Sequence, residues 1–109
     1  MVVAALATQS IAERAIEVLS LADANPPEAL EVATALAAEA HNAGDVAGEA
    51  MAQRAVGLAA RNVGEIERSL EALTHGVELA ESIEDAVLAA QVQTTLGPTL
   101  LYAGRSDDA

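Results

Sequence analysis

An internal repeat with a period of 40 residues constrains the fold of this chain more than any other feature. The matches include glycine, glutamine and aspartate, which chance seldom aligns in an alanine-rich sequence. The aligned pairs are Ile11–Ile16 with Met51–Val56, Asp45 with Asp85, Gln53 with Gln93, Gly57 with Gly97, and Gly64 with Gly104. A period of this length is typical of solenoids, in which each small helical unit buries its apolar face against the next.

The composition indicates that the repeated unit is helical. Apolar residues make up 52% of the chain and aromatic residues only 1%, and alanine, the best helix former, dominates the apolar set. Period-two runs of β-branched residues, which are typical of strands, are absent. Turn signals separate helices expected at about 8–22, 27–42, 46–62, 65–81 and 86–103, after an N-terminal extension over 1–7. Short connections between them predict an all-α fold of antiparallel, stacked helix hairpins.

The recurring small residues predict where helices meet and where they end. Gly57 and Gly97 are expected at close approaches between helices, where a side chain would hold the backbones apart. Gly64 and Gly104 are expected to end their helices in the left-handed conformation. Small residues near the start of the second helix of each unit should face the first helix; they are Ala29, Ser69 and Ala109. Two aspartates at helix starts are expected to act as N-caps; they are Asp45 and Asp85.

This spacing resembles the tetratricopeptide repeat. The family places Leu-Gly in the first helix, a large residue three places later, a glycine at the turn and then an alanine. The best match in this chain consists of Leu96-Gly97, Leu100, Gly104 and Ala109. Glutamines stand at 53 and 93, where the family often has tryptophan, and Glu81 replaces the closing proline. The resemblance covers residues 8–109 and implies a right-handed stack of about two and a half units.

A narrower resemblance concerns the segment Val56–Arg61 and the Ala-, Arg- and Glu-rich composition. Both are similar to the repeats that precede the caspase-like CHAT domain in actinobacterial proteins, although no such protease domain lies in these residues. Bacterial regulators with similar repeats are the alternative. The chain stops at Ser106–Ala109, which is typical of the cap of a further helix, so we expect a fragment of a longer protein.

The charge of the chain excludes several classes of partner. Lysine and cysteine are absent, and the formal net charge is −12. Nucleic acid and anionic membranes bind through positive charge, so neither is an expected partner. The absence of cysteine also excludes disulfides and thiolate metal sites. No apolar run is long enough for a membrane span, and we expect a cytoplasmic location.

The sequence offers no recognisable catalytic apparatus, cofactor site or metal site. His41 and His75 are the only imidazoles, and neither has a second histidine at ligand spacing. The glycines are single and spaced, so no phosphate-binding loop exists. We therefore predict a protein that is not an enzyme. Pro98 falls inside the last predicted helix and should bend it or make its end irregular.

The resemblance implies that the first helix of each unit lines a concave groove that binds a peptide or a partner protein. The candidate partner-binding residues on these helices are Arg14, Met51, Arg54, Leu58, Arg61, Thr94 and Leu101. Arginine can hold a carboxylate through two hydrogen bonds, which favours an apolar ligand segment bearing an acidic group. Alternatively the arginines pair with acids one helical turn away, as Glu17 stands to Arg14 and Glu65 stands to Arg61 across the turn.

These features predict a protein–protein interaction scaffold. The alternative is a structural module that associates with copies of itself. Helix 86–103 is rich in leucine and valine, and such an apolar face at the end of a stack invites pairing.

Overall fold

The computed structural model describes residues 9–108, which form five helices and contain no strand. The helices are α1 (Ile11–Ala24), α2 (Pro26–Ala43), α3 (Val46–Asn62), α4 (Ile66–Ser82) and α5 (Ala86–Asp108). The predicted all-α class is confirmed. The middle three helices begin and end within a residue of their predicted bounds, whereas α1 begins later than predicted and α5 runs beyond residue 103.

Polar side chains fix where the helices begin. Ser10 Oγ accepts a hydrogen bond from Glu13 N at 3.0 Å, so α1 begins at Ile11 and not at residue 8. Asp45 Oδ1 accepts from Gly48 N at 2.9 Å, and Asp85 Oδ1 accepts from Leu88 N at 3.0 Å. Each bond satisfies an amide that the helix itself leaves without a partner. The predicted caps at both aspartates are confirmed.

Left-handed residues end three of the helices. Gly44 and Gly64 have φ values of 70° and 90°, which confirms the prediction for Gly64. Glu84 takes the same conformation with φ 55° in the turn between α4 and α5, one period after Gly44. The prediction for Gly104 is wrong, because α5 continues through it as it continues through Pro98. A glycine weakens a helix but does not by itself end one.

The helices pack around α3, which contacts each of the other four. The first helices of the units contact one another in order, α1 with α3 and α3 with α5, whereas no Cα atom of α2 lies within 8 Å of a Cα atom of α4. Alanine dominates the buried apolar residues, and many alanines, such as Ala55 and Ala59, are fully buried. Because alanine adds so little bulk, the helix axes can lie close together.

Gly57 shows how closely α3 and α4 approach. A Cβ atom at Gly57 would lie 2.3 Å from Cγ of the fully buried Leu73, so any larger residue here would force Leu73 to move. Ser69 Oγ donates to the carbonyl oxygen of Gly57 at 2.7 Å, and its side chain is fully buried. The same prediction for Gly97 is wrong: a Cβ atom there would meet nothing within 4 Å, because no described helix covers that part of α5.

None of the five helices combines the length and the apolar character that crossing a bilayer requires.

Candidate functional site

Two arginines of α3 lie beside α5 and form the most distinctive charged surface on the first helices. We call the surface formed by Arg54, Leu58 and Arg61 of α3 and by Thr94 of α5 the arginine face. The three α3 residues recur at spacings of four and three, so they share one side of the helix. Both arginines and Leu58 are half-buried, and Thr94 is exposed. The structure therefore brings together four of the predicted partner-binding residues.

Arg54 is held by two threonines of α5. Its Nε donates to Thr95 Oγ1 at 3.1 Å, and its Nη2 donates to Thr94 Oγ1 at 3.4 Å. The Thr94 hydroxyl in turn donates to the carbonyl oxygen of Gln91 at 2.6 Å. Each hydroxyl can accept from the guanidinium while its own proton is used elsewhere. Arg54 is therefore fixed in position by neutral groups.

Arg61 repeats this arrangement two turns further along α3. Its Nη1 donates to Thr99 Oγ1 at 3.1 Å, and Thr99 Oγ1 donates to the carbonyl oxygen of Thr95 at 2.8 Å. Thr99 is fully buried, so its hydroxyl is a fixed anchor. Both arginines thus reach from α3 to hydroxyls on the same neighbouring helix.

The charges of these two arginines are not neutralised by the described side chains around them. Within that part of the chain, neither guanidinium has a carboxylate oxygen within 4.0 Å. An arginine has five N–H donors, and most of those on Arg54 and Arg61 are not used by the bonds to threonine. The predicted pairing of Arg61 with Glu65 one turn away is absent from the described contacts.

The remaining predicted residues lie elsewhere. Arg14 forms an ion pair with Glu39 of α2, not with Glu17, and its Nε is buried without a hydrogen-bond partner among the described residues. Arg14 is therefore already engaged within the first helix pair. Met51 is buried against the core, which leaves it little surface to offer a ligand. Leu101, in contrast, is 67% exposed on α5.

A second polar site lies on the opposite side of α3, and its central residue was not predicted. Glu49 is buried, with Oε1 3.3 Å from His41 Nδ1 and Oε2 3.2 Å from His75 Nε2. The two imidazoles come from α2 and α4, whose backbones do not pack against each other: no Cα atom of one lies within 8 Å of a Cα atom of the other. The sequence analysis identified both histidines as the only imidazoles of the chain, but no local signal in the sequence marks Glu49 as buried.

This carboxylate lies in a cleft of about 480 Å³ between α2 and α4, with α3 as its floor. Arg68 and Thr34 also line this space, and Arg68 Nη2 donates to Thr34 Oγ1 at 3.0 Å. Its walls therefore carry charges of both signs, and contacts within the chain engage Glu49 and Arg68.

In the part of the chain that the structure describes, no three histidine, aspartate or glutamate side chains are grouped so as to hold a metal ion. Comparisons with protein-family models, with curated proteins and with solved structures found no match to this chain.

Proposed function

We propose that this chain is a protein-interaction module and that a partner segment bearing carboxylates binds across the arginine face. The proposal rests on one observation: Arg54 and Arg61 are held in place but keep their positive charge unpaired among the described residues. Both are positioned by threonine hydroxyls, and neither is neutralised by a described carboxylate. Fixed guanidiniums with unused donors are suited to binding a carboxylate through paired hydrogen bonds.

We propose a tetratricopeptide-like, right-handed stack as the scaffold for this surface, and the contacts between first helices support the stacking. First helices contact first helices, and their polar links join residues about one period apart. Arg54 bonds to Thr94, Arg61 to Thr99, and Asn62 Nδ2 donates to the carbonyl oxygen of Ala22 at 2.9 Å. Such contacts are expected when equivalent helices lie side by side in a solenoid.

The spacing of the two arginines gives the geometry of the ligand. They are seven residues apart on one helix, which is about 10 Å along the axis. Two carboxylates on one side of a partner helix, also seven residues apart, match this distance, as do acids about three residues apart in an extended segment. Leu58 lies between the arginines and offers partly exposed apolar surface. We therefore expect a ligand with two acids flanking an apolar residue.

A peptide array tests the proposal directly. The array holds extended and helix-forming peptides in which two glutamates flank a leucine at different spacings, together with the same peptides carrying glutamine. Labelled protein should bind the glutamate peptides with matching spacing. The double variant Arg54→Glu with Arg61→Glu should lose this binding by about tenfold or more, because repulsion replaces two charge-assisted hydrogen bonds.

Arg68→Glu is the matched control, because Arg68 is exposed on α4 and bonds to Thr34 away from the arginine face. It makes the same change in net charge as either single substitution of the double variant, Arg54→Glu or Arg61→Glu, and should leave binding of the glutamate peptides nearly unchanged, whereas each of those single variants should weaken it. The neutral double variant Arg54→Gln with Arg61→Gln should bind weakly while remaining folded by circular dichroism. Equal binding by the wild type and the charge-reversed variant would refute the proposed site.

A further inference from the structure

The exposed side of α5 repeats a surface that is covered elsewhere in the same molecule. Ala90, Gln93 and Gly97 follow Ala50, Gln53 and Gly57 by one period. We call the surface formed by Ala90, Gln93, Gly97 and Leu100 the α5 docking face. All four residues are exposed.

On α3, the equivalent surface is the one on which α4 packs, and we call such a surface a helix seat. Leu73 of α4 lies over Gly57, where an added Cβ atom would come within 2.3 Å of its Cγ. A Cβ atom at Gly76 would lie 3.3 Å from the carbonyl oxygen of Ala50 and 3.5 Å from Cβ of Gln53. A helix that packs on this type of surface therefore places a leucine over the glycine, with a small residue three positions later.

On α5, this seat is empty among the described residues and is bordered by large apolar side chains. A Cβ atom at Gly97 would meet nothing within 4 Å, although glycine occupies the position as it does in α3. Val87, Leu100 and Leu101 are 71%, 53% and 67% exposed. Exposed apolar side chains grouped on one helix are typical of an interaction site.

Charge indicates what kind of helix fits the face. The segment 86–104 contains no charged residue, but acids stand at one end of it. Glu81, Glu84 and Asp85 line a cavity of about 370 Å³ together with Gln93 of the docking face. In the covered counterpart, the helix seated on α3 brings His75 to the carboxylate of Glu49. A helix seated on α5 would bring its equivalent residue to the acidic cavity, where a cation is favoured.

We propose that the α5 docking face binds an amphipathic helix of a partner protein, packed on α5 as α4 packs on α3. The partner helix carries a leucine over Gly97, a lysine or arginine two positions later facing Glu81, and a small residue three positions after the leucine. A second copy of this chain fits less well, because each copy has a net charge of −12 and its own α4-type helix is rich in glutamate. The α5 docking face shares no residue with the arginine face and is tested with a different ligand, so either proposal can fail without the other.

A peptide derived from α4 provides the probe. It comprises residues 65–84 with His75→Lys, Glu78→Lys and Glu81→Lys, and a fluorophore at its N-terminus reports binding to the intact protein by anisotropy. We expect saturable binding that weakens about tenfold or more when Leu73→Ala is introduced into the peptide, because the leucine is the central buried contact. The peptide that retains His75, Glu78 and Glu81 should bind more weakly than the lysine peptide.

Gly97→Leu in the protein should abolish binding, since its side chain fills the seat that the peptide leucine requires. The variant is expected to fold, because nothing in the structure lies within 4 Å of an added Cβ atom there. Ala35→Leu is the matched control: it also adds a leucine to an exposed helical position, but on α2. It should bind the peptide as the wild type does.

Three results would overturn the proposal. The first is the absence of binding. The second is binding that Gly97→Leu does not weaken, as would occur if the peptide displaced α4 from α3. The third is a concentration-dependent dimer of the wild type that Gly97→Leu converts to a monomer in sedimentation velocity, because the occupant would then be a second copy.

Discussion

Arg54 of α3 donates a hydrogen bond from Nε to the hydroxyl of Thr95 on α5 at 3.1 Å. The two residues are 41 positions apart in the sequence, which is one residue more than the repeat period. The bond joins the first helices of successive units at their contact. Its acceptor is neutral, so it positions the guanidinium without neutralising it. A single contact thus contributes to packing between units and preserves a positive charge on an acidic protein.

This bond should contribute measurably to stability. Thr95 is buried, and Thr95→Val keeps its shape while removing the acceptor. In a double-mutant cycle with Arg54→Met, we expect a coupling of about 0.5–1.5 kcal/mol in the free energy of unfolding, the usual net value of such a hydrogen bond. Urea unfolding of the four proteins measures it. A coupling near zero would mean that the bond is not formed in solution.

The equivalent glycines Gly57 and Gly97 should respond oppositely to alanine. Gly57→Ala forces Cβ against Leu73, and we expect a loss of about 1–3 kcal/mol of unfolding free energy from overpacking. Gly97→Ala meets no neighbour, and alanine favours a helix over glycine, so stability should be unchanged or rise by up to about 1 kcal/mol. Thermal and urea unfolding of both variants provide the comparison. Similar losses in the two would show that Gly97 is covered in solution.

The left-handed conformation of Glu84 should cost stability. Non-glycine residues are disfavoured at φ 55°, so Glu84→Gly should raise the free energy of unfolding by about 0.5–1 kcal/mol. The converse change at the equivalent position, Gly44→Ala, should lower it by about 1 kcal/mol, because Gly44 has φ 70°. Urea unfolding checks both. A destabilising Glu84→Gly substitution would indicate that this turn adopts another conformation in solution.

Glu49 should couple α2 and α4, whose backbones do not pack against each other. Its carboxylate bonds to His75 of α4 and His41 of α2. A cycle of Glu49→Gln and His75→Ala should give a favourable coupling of about 0.5–1 kcal/mol, as found for partly exposed polar pairs. Glu39→Gln with His75→Ala serves as the control cycle, since Glu39 pairs with Arg14, and its coupling should be close to zero. Equal couplings in the two cycles would argue against a specific contact at Glu49.

Much of the fold follows from signals that act within a few residues. Asp45 and Asp85 cap helices through bonds to amides three residues later, and Gly64 ends one through its own backbone freedom. The same local reasoning fails at Gly104, since a glycine permits a helix to end but does not require it, and α5 continues. The sequence therefore predicted that the five helices exist, but it did not predict where α5 ends.

The sequence predicted which residues form the arginine face, but it did not predict which hydrogen-bond partners the arginines take. The period identified Arg54, Leu58, Arg61 and Thr94 as residues of first helices, and these lie together. Arg14 was placed in the same set because it occupies the equivalent position, yet it pairs with Glu39. Equivalent residues in a repeat have equivalent backbone positions, but their side chains meet different neighbours.

By itself the sequence determined that this protein is helical, how long its repeat is and where most helices begin, because hydrophobic spacing and capping act along one helix. Only the tertiary structure decided which partners the arginines take, that Glu49 is buried between two histidines, and that Gly97 is open where Gly57 is covered. These features depend on which helices are neighbours and what each one presents across the contact. The same sequence pattern is therefore covered by α4 where it occurs on α3, and exposed where it occurs on α5.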